Sequence, residues 1–310
     1  MRLIFFGSPD FAVPSLKKIY ETGQEIAAVV TAPDRPRGRG RKLLPTPVKI
    51  EALKLHIPIL QPVKLNDPEF RRSISALEPD LNVVVAFRIM PEWLINLPRF
   101  GSINLHASLL PKYRGAAPIN WALINGDKKT GLTTFILKRE VDTGDILIQR
   151  EMEIEENDNF GSLHDRMAQI GANVLLETIE GLAEGGLSPR PQPADGYCPA
   201  PKLTRETGRI DWRKPASDIV NLVRGLSPSP GAYARLGGLR LIILEAGAKE
   251  EAPEAAAGVI VSIDDKSGIL VASGQGAVIL KKIKPEGRKA MSSAEFSRGY
   301  EVKVGDAFTF

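Results

Sequence analysis

The sequence predicts an N-terminal doubly wound, mostly parallel α/β domain followed by a small C-terminal β-barrel of the OB type. Three observations predict it. Short apolar runs alternate with helical stretches through the first part of the chain, the pattern of a parallel sheet covered by helices on both faces. A Gly- and Pro-rich stretch at 185–201 (GGLSPRPQPADGYCPAP) then breaks the pattern. Beyond it, residues 231–310 hold short alternating segments separated by Gly and Asp turns, which suits a small closed or nearly closed barrel. The expected bounds are 1–187 for the first domain, 188–206 for a linker and 207–310 for the second domain.

Residues 2–6 (RLIFF) read as a buried strand, followed by the loop 7–15 and a helix from near Ser15. Residues 25–31 form the next strand, 46–55 a helix, 57–60 a strand and 68–77 a helix. The runs 81–86 (LNVVVA) and 102–107 (SINLHA) are strands, and 116–125 is a short helix. Residues 131–138 and 145–153 read as an antiparallel pair joined at 141–144. A long helix is predicted over 162–184, with Ser162 as its N-cap and Asp165 three residues on, close to a capping box. After the Gly/Pro stretch a short helix near 215–225 precedes the barrel strands.

Composition bounds the function classes. With 43% hydrophobic and 25% charged residues the chain is an ordinary globular protein. A formal charge of +4 fits a polyanionic partner without requiring one. Cys198 is the one cysteine, which excludes an intramolecular disulfide and suits a cytoplasmic setting. The N-terminal apolar run is too short for a signal peptide, and no stretch is long enough to span a membrane. The first βα loop lacks G-x-G-x-x-G, so a nicotinamide cofactor is not expected, and His56, His106 and His164 show no metal-ligand spacing.

Asn104 and His106 lie two apart on a predicted strand, so their side chains share a face. The strand ends just beyond them, where doubly wound sheets bind ligands. An amide and an imidazole there suit stabilisation of an oxyanion. By spacing alone the pair reads more readily as a polar strand end satisfied by backbone. Asp142, in the run VDTGD, reads either as a turn-capping carboxylate or as one that orients His106 in triad fashion. Asp145 is the more structural of the two acids.

The run INLHASLLPKYRGAAPINWALINGD followed by VDTGD resembles the folate-dependent formyltransferases, and the resemblance extends over essentially the whole chain. It implies Asn104, His106 and Asp142 as catalytic residues, and Ser108, Leu109, Leu110 and Pro111 as the border of the folate site. The reaction implied is transfer of a formyl group from 10-formyltetrahydrofolate to an amine, with no metal. Asp142 then acts either as proton acceptor or as orienter of His106.

Residues 34–49 (DRPRGRGRKLLPTPVK) carry six basic side chains against one acid, in the loop after the second strand. A basic loop beside the strand ends suits phosphates near an RNA end. The segment resembles the DRPxGRG insertion of the tRNA-acting, methionyl-tRNA formyltransferases. That implies methionyl-initiator-tRNA as partner, with Arg39 the closest match, Arg35 and Arg41 flanking, and Lys42 beside them. Lys281 and Lys282 open a second basic run on the barrel. Arg88 departs from the family, which usually has Gly there. A monomer is expected. The alternatives are a formyltransferase for a small amine, such as an amino sugar or purine precursor, which the basic loop opposes, and a catalytically inactive tRNA-binding protein, which the intact trio opposes.

Overall fold

The structure is a computed structural model that describes residues 1–37 and 42–309, with the side chains of Arg37 and Lys42 outside the description. The chain divides into two compact units. The first holds Met1–Gly115, Thr130–Met152 and His164–Ala200; the second holds Ala116–Lys129, Glu153–Leu163 and Pro201–Phe310.

In chain order the first elements are β1 (Arg2–Gly7), α1 (Val13–Glu21), β2 (Glu25–Val30), β3 (Arg35–Arg37), β4 (Lys42–Leu44), α2 (Pro47–Lys54), β5 (Ile59–Leu60) and α3 (Pro68–Ser75). Then come β6 (Leu81–Val85), α4 (Glu92–Ile95), β7 (Ser102–His106), β8 (Lys112–Gly115), α5 (Pro118–Ile124), β9 (Lys129–Ile136), β10 (Ile146–Glu153), α6 (Phe160–Ala183) and β11 (Cys198–Ala200). Strand order in the large sheet is β10-β9-β7-β6-β1-β2-β5. β1 pairs in parallel with β2 and β6, β2 with β5, and β6 with β7, while β7 and β9 run antiparallel. The chain thus winds outward from β1 through β2 to β5, returns to the other side of β1, and winds outward again through β6 and β7. The reversal lies between β1 and β6, and such switch points open a crevice at the carboxyl ends of the strands. β1 and β6 are apolar at nearly every position because both faces are covered. Ile4, Phe6, Val30, Ile74, Val84 and Leu94 form one side of this core.

Local chemistry sets the helix starts. Thr46 caps α2 by accepting from Lys49 N–H at 3.0 Å, and Asp67 caps α3 by accepting from Glu69 and Phe70 N–H. In both, proline takes the first helical position, where no donor is needed. α6 starts at Phe160, not at Ser162. Asn159 Oδ1 accepts from Ser162 N–H at 3.1 Å, and Ser162 Oγ accepts from Asn159 N–H at 3.0 Å. Ser162 is therefore the inner partner of a reciprocal cap, which corrects its expected place as N-cap.

The second unit adds α7 (Ala216–Leu226), β12 (Ala232–Leu236), β13 (Leu239–Lys249), β14 (Ile260–Asp264), β15 (Gly268–Ala272), β16 (Ala277–Pro285), β17 (Met291–Ser292), α8 (Ser293–Gly299) and β18 (Phe308–Thr309). Its antiparallel sheet runs β14-β15-β16-β13-β12-β18 and curls on itself. A Val259–Ala307 bridge, with Ile260 N–H donating to Asp306 O at 2.8 Å, joins the two ends. Trp212 is 1% exposed and packs on Phe308 with ring centroids 5.0 Å apart. It belongs to the core of the second unit, with Ile219, Val223, Leu241 and Ile283.

Candidate active site

β7 carries the site because its neighbours fix its pleat. Val84 and Phe135 flank Asn104 in register, and Thr133 lies opposite His106. Asn104 and His106 therefore share one face, while Leu105 turns into the core on the other. Asn104 is half-buried and His106 is 6% exposed.

Asp142 arrives from the connection between β9 and β10, with φ +55°. Its Oδ2 lies 3.7 Å from His106 Nδ1 and accepts the Gly115 N–H at 2.8 Å. His106 Nε2 lies 2.9 Å from the Tyr113 carbonyl oxygen. A carbonyl only accepts, so Nε2 carries the proton, and in the neutral ring Nδ1 holds the lone pair that faces Asp142. At 3.7 Å the carboxylate acts on that nitrogen through its charge rather than through a hydrogen bond. Both side chains are almost fully buried, where such a field is screened far less than in water.

The segment Ser108–Pro111 follows directly and is held from within. Thr133 Oγ1 donates to Ser108 O at 2.6 Å and accepts from Leu110 N–H at 3.1 Å. Gln149 Nε2 donates to Leu110 O at 2.8 Å and to Thr133 Oγ1 at 3.1 Å, and Ser108 Oγ donates to Lys112 O at 2.6 Å. Ser108, Leu110 and Pro111 are buried and Leu109 is half-buried.

The sequence reading missed the residues that hold these groups: Tyr113, Gly115, Thr133, Gln149 and Gln192. Gly115 had a local signal, since its φ of +128° and a Cβ that would strike the Ala200 carbonyl both demand glycine. The others had none, because a carbonyl or an amide gains its role only through the fold.

The basic residues are spread out. Arg35 is exposed on β3, which pairs with the Lys42-bearing β4, and Arg39 and Arg41 lie outside the described residues. Asp34 pins the base of this hairpin, accepting from Gln61 Nε2 at 2.8 Å and Lys49 Nζ at 2.7 Å. The Gln61 amide and the Lys49 ammonium hold its carboxyl below the usual carboxylate range. Arg88 donates to the carbonyls of Val63 at 2.8 Å and Pro62 at 2.5 Å, so it ties two loops together. Burial, with Arg35 nearby, lowers its pKa. Lys281 and Lys282 are both exposed in the second unit. The register shifts at Glu245, so two consecutive residues of β16 project to solvent. Among the described residues no three His, Cys, Asp or Glu side chains converge as metal ligands, and no helix is long and apolar enough to cross a membrane.

Fold and site define a class: an α/β enzyme domain with an amide, an imidazole and a carboxylate at the carboxyl edge of its sheet, joined to a curled antiparallel β-unit. The chain belongs to the formyl transferase family, whose model matches residues 1–179, with the formyl transferase C-terminal domain matching 202–301. It is 45% identical to a methionyl-tRNA formyltransferase of Citrifermentans bemidjiense, over 98% of this chain and 95% of that one. It is also 45% identical to one of Caldanaerobacter subterraneus subsp. tengcongensis, over 98% and 99% of the two chains. Among solved structures, a Helicobacter canadensis N-formyltransferase in complex with folinic acid and dTDP-3-aminofucose superposes with TM-score 0.68 at 18% identity, over 90% of this chain and 98% of that one. HypX from Aquifex aeolicus in complex with tetrahydrofolic acid superposes with TM-score 0.64 at 19% identity; all of this chain spans about half (51%) of HypX. At these identities the structures speak for the fold alone.

Proposed function

We propose that this protein transfers the formyl group of 10-formyltetrahydrofolate to the free α-amino group of methionyl-initiator-tRNA. The observation that carries it is the 45% identity, over 98% of the chain, to proteins named methionyl-tRNA formyltransferase. The small-amine and inactive-binder alternatives have no comparable support.

In this reading Asn104 Nδ2 meets the negative charge that develops on the formyl oxygen, and His106 adds its positive charge once it is protonated. His106 Nδ1 takes the proton that the attacking amine loses and returns it to the folate nitrogen that leaves. Asp142 balances the positive charge the ring carries between those two events. The amine needs little help, since an α-amino group has a pKa of ~7.7–8.0. Ser108, Leu109, Leu110 and Pro111 border the folate. Arg35, Arg39, Arg41 and Lys42 meet the acceptor end of the tRNA, and Lys281 and Lys282 meet its backbone. The protein works as a cytoplasmic monomer.

The test mixes the protein with methionyl-tRNA and formyl-folate and looks for N-formyl-methionine, with a nucleotide-linked amino sugar as parallel acceptor. Asn104→Ala and His106→Ala each lower kcat by about 10²–10³ and leave the KM for tRNA nearly unchanged. Wild-type turnover in either variant removes that residue from the site. Formylation of the sugar alone replaces the substrate.

A further inference from the structure

Asp142 and Tyr113 both adopt left-handed backbone conformations, φ +55° and +59°, which side-chain-bearing residues disfavour. Both are needed as they stand: Tyr113 supplies the carbonyl that holds His106, and Asp142 supplies the carboxylate. Something must hold the two segments in place. Gln192 reaches both. Its Nε2 donates to Asp142 O and Gly144 O, each at 2.8 Å, and its Oε1 accepts from Arg114 Nη2 at 2.6 Å and Nε at 3.1 Å. Carbonyls only accept and a guanidinium only donates, so the orientation of the amide is fixed and every donor and acceptor on it is used.

Arg114 stands between the two anchor points. The Tyr113 carbonyl takes the His106 Nε2–H, and the Gly115 N–H goes to Asp142 Oδ2. Gln192 therefore closes a ring: His106 to Tyr113, along β8 to Arg114, across to Gln192, and back through the Asp142 turn. The backbone prepares this reach. Pro193 confines Gln192 to extended geometry, and β11 runs parallel to β8 with Cys198 beside Lys112 and Ala200 beside Gly115.

We infer that Gln192 is a positioning residue for the formyl-transfer site, setting the distance between Asp142 and His106. The inference rests on the roles proposed above for those two residues. A mere surface staple between 192 and β8 is the rival, and it predicts a loss of stability with no particular tie to Asp142.

The experiment is a double-mutant cycle on the full chain. Gln192→Leu keeps the bulk and removes every hydrogen bond. It lowers kcat by about 10- to 100-fold, with the KM for tRNA and for formyl-folate moved by less than about twofold. In an Asp142→Asn background the same change costs less than about a further twofold, because the group it positions is already disabled. Gln192→Glu keeps acceptors for Arg114 but offers the carbonyls no N–H. It loses kcat like Gln192→Leu, which covers the case in which Gln192→Leu fails to fold. Unchanged kcat in both Gln192 variants, or a loss that simply multiplies with that of Asp142→Asn, overturns the inference and leaves the site roles standing. Full activity in Asp142→Asn alone overturns the site roles, and the inference falls with them.

Discussion

His106 presents Nε2 to the carbonyl of Tyr113, 2.9 Å away, and so turns Nδ1 toward Asp142. The ring is thus aimed by the backbone and not by the carboxylate. That separates two duties a triad aspartate usually combines, orientation and charge balance. Here the first belongs to β8, and in the proposed mechanism the second is left to Asp142.

Asp142→Asn isolates the charge. The amide oxygen still accepts the Gly115 N–H, and Asn tolerates the left-handed conformation. Folding stability should stay close to wild type while kcat falls about 10²–10⁴-fold. Asp142→Ala should lose about 1–3 kcal/mol of stability as well. Thermal melts beside formylation rates check both, and a fully active Asn variant would leave Asp142 as a turn former only.

Thr133→Val should raise the KM for formyl-folate more than that for tRNA. The hydroxyl holds Ser108 O, Leu110 N–H and Gln149 together, and its loss leaves buried groups unpaired at a cost of about 1–3 kcal/mol. Thr133→Ser retains the hydroxyl and should behave almost as wild type. Equal changes in both KM values would argue against a folate wall at 108–111.

Gly144→Ala should destabilise by more than about 2 kcal/mol, because the added Cβ would collide with the carbonyl of Ile136. Denaturant titration reads this directly. A neutral result would mean that the turn can relax without losing Asp142.

Removing Lys281 and Lys282, or Arg39 and Arg41, should raise the KM for tRNA. It should also reduce the log–log salt slope by about one for each phosphate no longer neutralised. Turnover at saturating tRNA should change little. A slope equal to wild type takes that pair off the RNA surface.

The hydrogen bonds and charge of Arg213 bring the Asp211 carboxyl down to about 2. Its folded-state pKa is depressed, so the stabilisation is complete above the unfolded value near 3.8 and fades as pH falls through about 2. Asp211 is half-buried and Arg213 largely exposed, so solvent screens the pair and Asp211→Asn should cost less than about 1 kcal/mol at neutral pH. Urea melts should show the gap between variant and wild type closing as pH falls from the unfolded value toward the folded one.

Elements buried on both faces were legible in the sequence. β1 and β6 read as strands because an apolar run has no other use there. The short pieces β8, β11 and α4 were not, since three or four residues carry no period. Asn104 and His106 stood out because a spacing of two is a geometric statement in a strand. The Tyr113 carbonyl was invisible, because every residue type supplies one. Asn159 and Ser162 are both good caps, and only the reciprocal hydrogen bonds show which comes first. The composition of 185–201 suggested a passive connection, and nothing in it says that one glutamine would find an arginine and two carbonyls.

That stretch bears on how such chains can be recombined. Ala200 is the last residue of the unit that holds His106 and Asp142. A chimera spliced near 187, where glycines and prolines invite the cut, would keep both residues yet exchange the segment carrying Gln192 for a foreign one. Grafts meant to preserve turnover should be joined after Ala200, and libraries spliced at the earlier point should be rich in folded but sluggish hybrids.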